Sequence, residues 1–162
     1  MKNLAFFASI LLGAMALSQS QADAQPKPDP WAGSWKFDAA KSQLHAPAPK
    51  EETVTSEPSG PDGKTVKYSV HGVAADGSPI NESYDGKADS QPYPFIANGQ
   101  EVAKISYHRD SAHQYSSKGA GADGSTSAGT VTLSQDGKTI TVKEHVKSKT
   151  GEFDQTVIYH KQ

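Results

Sequence analysis

Apolar and polar side chains alternate residue by residue along most of this chain, the period of a strand with one buried face rather than of a helix. Val66, Tyr68 and Val70 share one face of a segment from Thr65 to Val73, opposite Lys67, Ser69 and His71. Ile80, Glu82 and Tyr84 alternate in the next segment, and Tyr93 to Ile96 is a short apolar piece flanked by prolines. Ala103, Ile105 and Tyr107 then share a face, followed by His113, Tyr115 and Ser117. The last three segments are the clearest: Val131 with Leu133, Ile140 with Val142, and Phe153, Val157 and Tyr159 each line up on one side. With Gly33 to Phe37 as a first strand and Thr53 to Ser56 as a second, the pattern predicts about ten strands. Asp38 is placed to cap a single helical turn through Lys41, before His45 to Pro49 forces the backbone to extended geometry.

Turn chemistry falls between these runs. Asp-Gly recurs at Asp62, Asp76, Asp85, Asp123 and Asp136, and Asn98-Gly99 lies among them. Both dipeptides suit the type I′ hairpin turn, whose two central residues need φ > 0. Asp110-Ser111 and Thr150-Gly151 read as weaker turns. A meander of short strands with short connections keeps two open edges unless the sheet closes on itself. The expected fold is all-β, an antiparallel up-and-down β-barrel of about eight to ten strands with its apolar face inside. A two-sheet sandwich competes with it, but a Greek key needs at least one long return connection.

The start of the chain has a different pattern. Lys2, the apolar run from Leu4 to Leu17 and Ala22-Asp23-Ala24 together read as a secretory signal peptide over residues 1–24, cleaved after Ala24, so the mature protein is expected to be periplasmic or secreted. The run is shorter than the ~20 residues of a membrane span, and no transmembrane segment is expected in the mature chain. Residues 25–30, Gln-Pro-Lys-Pro-Asp-Pro, favour an extended, disordered N-terminus, and residues 31–162 hold one domain. With no cysteine in the sequence, stability must come from an apolar interior and a closed hydrogen-bond network, and thiol chemistry is excluded. A net charge of −2 with Arg109 as the single arginine argues against nucleic acid and anionic membrane surfaces as partners.

Gly33-Ser34-Trp35-Lys36 resembles the G-x-W motif that opens lipocalins, fatty-acid-binding proteins and their calycin relatives, and Val157 to Gln162 is similar to the V-Y-x-K-Q ending of fatty-acid-binding proteins. More closely, the mature chain resembles small exported bacterial proteins of uncharacterised lipocalin-like type. Their G-x-W-K-x-(N/D)-x-x-K-S, D-G-x-P, D-G-x-x-Y-P and S-x-D-G-K-T-x-T-V motifs recur at Gly33 to Ser42, Asp76 to Pro79, Asp85 to Pro94 and Ser134 to Val142. Residues 88–91 depart from that pattern by lengthening one loop. The resemblance implies a barrel whose closed end is sealed by Trp35 beneath a cationic side chain, Lys161 or Arg109, a structural role. It carries over no catalytic residue.

Candidate chemistry is confined to the interior. Tyr68, Tyr84, Tyr107, Tyr115 and Tyr159 all fall on inward faces, and a buried phenol needs a partner, so the interior is either a wet cavity with polar handles or a tight internal network. Glu82 shares the face of Tyr84, where a lone carboxylate is costly unless it orients a ligand or lies at the rim. The candidate ligand-binding set is Tyr68, Glu82, Tyr84, Ile105, Tyr107 and Tyr115. Histidines 108 and 113, or 145 and 160, are the pairs that neighbouring strands could bring together; no ligand spacing marks a metal site, and neither a nucleophile elbow nor a phosphate loop is present, so no cofactor is expected. Three functions follow: a carrier of a small apolar molecule; a filled, ligand-free barrel acting as an envelope or extracellular interaction module through loops 88–91 and 119–124; and an enzyme resting on Glu82 and the histidines alone.

Overall fold

The computed structural model describes residues 28–162, so the leader and its cleavage site lie outside the described residues. Ten strands follow one another: β1 (Gly33–Phe37), β2 (Glu51–Ser56), β3 (Thr65–Val73), β4 (Pro79–Lys87), β5 (Tyr93–Ala97), β6 (Gln100–Ser111), β7 (Gln114–Gly121), β8 (Thr126–Leu133), β9 (Thr139–Ser148) and β10 (Gly151–Lys161). Each pairs antiparallel with its sequence neighbours, and β1 closes the ring against β10 through Trp35↔Lys161 and Phe37↔Tyr159. The sheet is a closed up-and-down barrel, so no strand edge is left unpaired, and the sandwich arrangement does not occur.

The hairpins use a different turn from the one expected. In Ala74–Ser78, Gly121–Ser125 and Ser134–Thr139 the glycine N–H bonds back three residues, to Ala74, Gly121 and Ser134, and the hairpin closes around it. Gly77, Gly124 and Gly137 have positive φ, while the aspartates before them do not. These are type I turns with a left-handed glycine after them, in loops of three residues at 75–77 and 122–124 and of four at 135–138. Each aspartate instead accepts the backbone N–H two residues on, at 2.9 to 3.1 Å, at Ser78, Ser125 and Lys138. Only Asn98-Gly99, with φ of 49° and 79°, has the two positive values of type I′. Asp85-Gly86 is not a turn at all: it lies within β4, paired to Val66 and Lys67. Asp110 and Ser111 likewise belong to β6, and the chain reverses at Ala112 and His113.

The one long connection, between β1 and β2, makes a capped turn as expected. Asp38 Oδ1 accepts the N–H groups of Ala40 and Lys41, and Ser42 N–H returns to Asp38 O. The Ser42 hydroxyl then takes the ladder position facing Ile158 N–H at 2.9 Å, so β10 keeps its pairing through the excursion. Gln43 rejoins β10 at Thr156, and residues 44–49 cross that end of the barrel to reach β2.

One end of the barrel is plugged. Trp31, Trp35, Tyr115, Leu133 and Ile140 form its buried core, with Trp35 0% exposed. Trp31 Nε1–H donates to Ala112 O, and Trp35 Nε1–H donates to Trp31 O and Ser56 Oγ, both at 3.1 Å. Lys161 Nζ lies 4.9 Å above the Trp35 ring and donates to Pro30 O at 3.0 Å, while Arg109 covers Tyr115 instead, 5.6 Å from its centroid. Gly33, at φ +132°, lies directly beneath Lys161, whose Cε would be 3.1 Å from any added Cβ; this is why the residue two before the tryptophan is glycine. Asp29 takes both the hydroxyl and the N–H of buried Ser59 and the N–H of Trp31. Burial opposes its charge, but those hydrogen bonds and Arg109 outweigh it and hold the carboxyl below the usual range. The folded domain therefore begins before Trp31, because Asp29 and Pro30 are part of the plug.

Candidate functional site

Away from the plug the barrel is hollow. A cavity of about 480 Å³ runs through the interior, within the ~300–1,000 Å³ of small-molecule sites. Ten strands make a wider ring than the eight that side chains can fill. Small residues widen it further: Ser117 and Gly119 on β7, and Ser127 and Gly129 on β8, occupy inward positions. A Cβ at Gly129 would collide with Lys143 O of β9, so the backbones of β8 and β9 approach there as no other residue allows. The outward face is polar, with Val102 the one exposed large hydrophobic among the described residues, the reverse of a lipid-facing barrel.

Of the six candidate ligand residues, Tyr68, Glu82, Ile105, Tyr107 and Tyr115 line this cavity. Tyr84 does not. It is 1% exposed, stacked on Tyr68 at 5.5 Å and edge-on to Tyr107 at 5.1 Å, and its hydroxyl is taken up by Ile105 O at 3.1 Å. Its role is to hold the other rings. The aromatic chain continues from Tyr107 to Tyr115 and from Tyr115 to Trp31, joining the lumen to the plug. Valines 54, 66, 70, 131, 142 and 157 supply the aliphatic wall.

Polar groups cluster toward the other end. Glu52, Glu82, Glu144 and Gln155 all line the lumen, from β2, β4, β9 and β10. Tyr159 O–H donates to Glu52 Oε1 at 2.5 Å, Gln155 Nε2–H donates to Glu144 Oε2 at 2.9 Å, and the Tyr68 and Tyr107 hydroxyls share a hydrogen bond at 3.0 Å. Glu82 receives no hydrogen bond among the described residues; burial, then the charge of Glu52, pushes its carboxyl above the ordinary range. Burial also raises the phenols: Tyr107 to about 12, and Tyr68 and Tyr159 well above their normal value, Tyr159 with help from Glu52. At neutral pH these hydroxyls are neutral donors, suited to orienting a ligand rather than to attacking one.

Glu52, Glu144 and Gln155 escaped the sequence reading although the alternation contained them. Glu144 continues the face of Ile140 and Val142, Gln155 sits between Phe153 and Val157, and Glu52 extends the second strand by one inward step. Among the described residues no group of three or more His, Asp or Glu is placed to hold a metal ion. The final hairpin does not join His145 to His160: the first faces Asp154 and Glu152, the second Asp38 and Thr139. His108 contacts Ser90 at the surface, whereas His113 has its Nδ1 buried near the plug.

The β1–β2 connection contributes Leu44 and Pro49 to the lining. His45 stacks on Phe153 at 4.0 Å, with the rings 10° from parallel, and pins this strap to β10.

No protein-family model and no curated protein matches the chain. Designed barrels are among the similar solved structures. A de novo designed fluorescence-activating β-barrel is 16% identical over 83% of this chain and 96% of its own, with a TM-score of 0.44. The redesigned barrel mFAP1 bound to DFHBI is 12% identical over 82% and 95%, and EF1p2_mFAP2b bound to DFHBI is 12% identical over 82% and 94%, both again at 0.44. At that level of similarity they add nothing to what the strand order establishes.

Proposed function

We propose that this protein is an exported carrier that holds one small, largely apolar molecule inside its barrel. The observation that carries the reading is the lumen itself: a 480 Å³ space with an aliphatic and tyrosine wall, sealed at one end and strapped at the other. An empty apolar space of that size forfeits the contacts a filled core makes, which is tolerable where a ligand supplies them. A filled, ligand-free barrel leaves the space unexplained. The neutral phenols of Tyr68 and Tyr107 and the amide of Gln155 offer the few polar contacts that fix orientation in such sites. Export rests on the leader pattern of residues 1–24.

Native mass spectrometry of the protein purified from its own envelope fraction tests both parts. The expected spectrum has a polypeptide beginning at Gln25 and an excess mass that disappears on denaturation. Ser117→Phe, which puts a ring into the lumen, should remove the excess mass and keep the fold. A bare mass that persists after incubation with lipid and aromatic extracts would overturn the carrier reading, and a full-length chain found only in the cytoplasm would overturn export.

A further inference from the structure

We infer that the lumen, on the carrier reading above, selects an amphiphilic organic cation: a molecule with an aromatic or branched apolar body and a protonated amine. The charges of the wall point that way. Glu52 and Glu82 line the cavity from β2 and β4, the two strands that flank β3, and Glu144 lines it from β9, further round the ring. The only cation among the lining residues is Lys67, and it is paired with the fourth lining acid, Glu57, at 3.0 Å and lies 3.8 Å from Asp85. That pairing leaves three acids of the lining with no base. Glu52 and Glu144 each accept one hydrogen bond from a neighbour, and Glu82 accepts none among the described residues.

Like charges beside one another in a space with apolar walls repel, and at Glu82 both burial and the Glu52 carboxylate oppose ionisation. A ligand ammonium supplies the missing charge and up to three donors, satisfying what the protein leaves open. Tyr68 and Tyr107 line the same space, and an aromatic ring attracts a cation that lies over its face. The apolar body then lies toward the plug, against Val54, Val66 and Val131. A carboxylate-bearing ligand, such as a fatty acid, meets the opposite: three like charges and no base to receive it. The arrangement is not a metal site, since no three of the acidic groups among the described residues come close enough to share an ion.

A matched series separates this inference from the carrier reading. Aminomethylnaphthalene, hydroxymethylnaphthalene and naphthoate have the same apolar body and differ in charge. Titrated into the mature protein at neutral pH by calorimetry, the amine should bind at least about tenfold more tightly than the alcohol, with naphthoate weakest. The double variant Glu82→Gln, Glu144→Gln keeps side-chain shape and should erase that preference, bringing the affinity for the amine down to that for the alcohol. Equal or tighter binding of the alcohol or of naphthoate overturns the inference and leaves the carrier reading standing, as does an amine preference that survives in the double variant. If none of the three binds and the native mass is bare, both fall. The wild-type ranking decides the matter even if the variant does not fold.

Discussion

Replacing Trp35 tests whether the plugged end carries the stability of a hollow molecule. The ring is 0% exposed, and truncating a buried tryptophan to alanine costs about 3–5 kcal/mol. Its indole N–H serves Trp31 O and Ser56 Oγ; losing it adds about 1 kcal/mol, since the Ser56 hydroxyl still donates to Trp31 O. The Lys161 ammonium, 4.9 Å above the ring, contributes about 0.5–1 kcal/mol more. Trp35→Ala should thus lose about 5–7 kcal/mol, comparable with the whole stability of a small domain. Trp35→Phe keeps a ring and loses the donor and some volume, for about 2–3 kcal/mol. Urea denaturation followed by far-ultraviolet circular dichroism reads both without relying on tryptophan fluorescence. An alanine variant that loses less than about 2 kcal/mol would refute the reasoning, because the barrel would then be held by its ladder alone.

Two further predictions concern the wall of the lumen. Glu82→Gln should make the ligand-free protein more stable at neutral pH. Because burial and Glu52 raise the carboxyl in the fold, its favourable contribution is complete below the unfolded-state pKa of about 4.3 and is lost as pH rises through the folded value. The advantage of the variant should therefore be present at pH 7 and vanish below about pH 4 in urea titrations; an advantage independent of pH, or a loss, would contradict it. Gly129→Ala should cost at least about 2 kcal/mol, since its methyl would run into the Lys143 carbonyl. Gly124→Ala, at φ +87° with nothing within 4 Å, should cost only about 1 kcal/mol, and equal shifts of the two in thermal unfolding would show that backbone crowding is not what Gly129 relieves.

The strands were legible because every one has a dry side and a wet side. Thr65–Val73 matches the alternation end to end, and the tyrosines stood out as the large inward residues of β3, β4, β6, β7 and β10. The turns were legible as places and not as geometries: Asp-Gly satisfies a left-handed glycine alone as well as it satisfies a pair of positive φ values. Gly86 shows the limit of dipeptide reading. It is glycine not to turn the chain but because the Tyr84 hydroxyl of its own strand and the Tyr93 ring of β5 each lie 2.7 Å from where a Cβ would be, and the second is a contact between strands that no dipeptide contains. The acidic lumen was missed for a related reason. Glu144 shares the parity of Ile140 and Val142 but not their polarity, and Glu52 lies one residue outside the strand that the alternation marks from Thr53 to Ser56.

That omission bears on how the molecule divides its work. At the plug, Trp31, Trp35 and Ser56 satisfy one another's polar groups, Asp29 is saturated by Ser59 and Trp31, and the buried hydrophobics Leu133 and Ile140 close the packing. At the other end the inward positions are given to glutamate, glutamine, serine and glycine, choices that add little to stability and in the case of Glu82 subtract from it. A barrel whose ladder is complete has no edge to protect, and one well-packed end fixes its register through Trp35↔Lys161. The rest of the interior is then free of the demand to pack, and its carboxylates, placed in a lumen crossed by a pinned strap, are choices that the proposed carrier role explains and the stability of the fold does not.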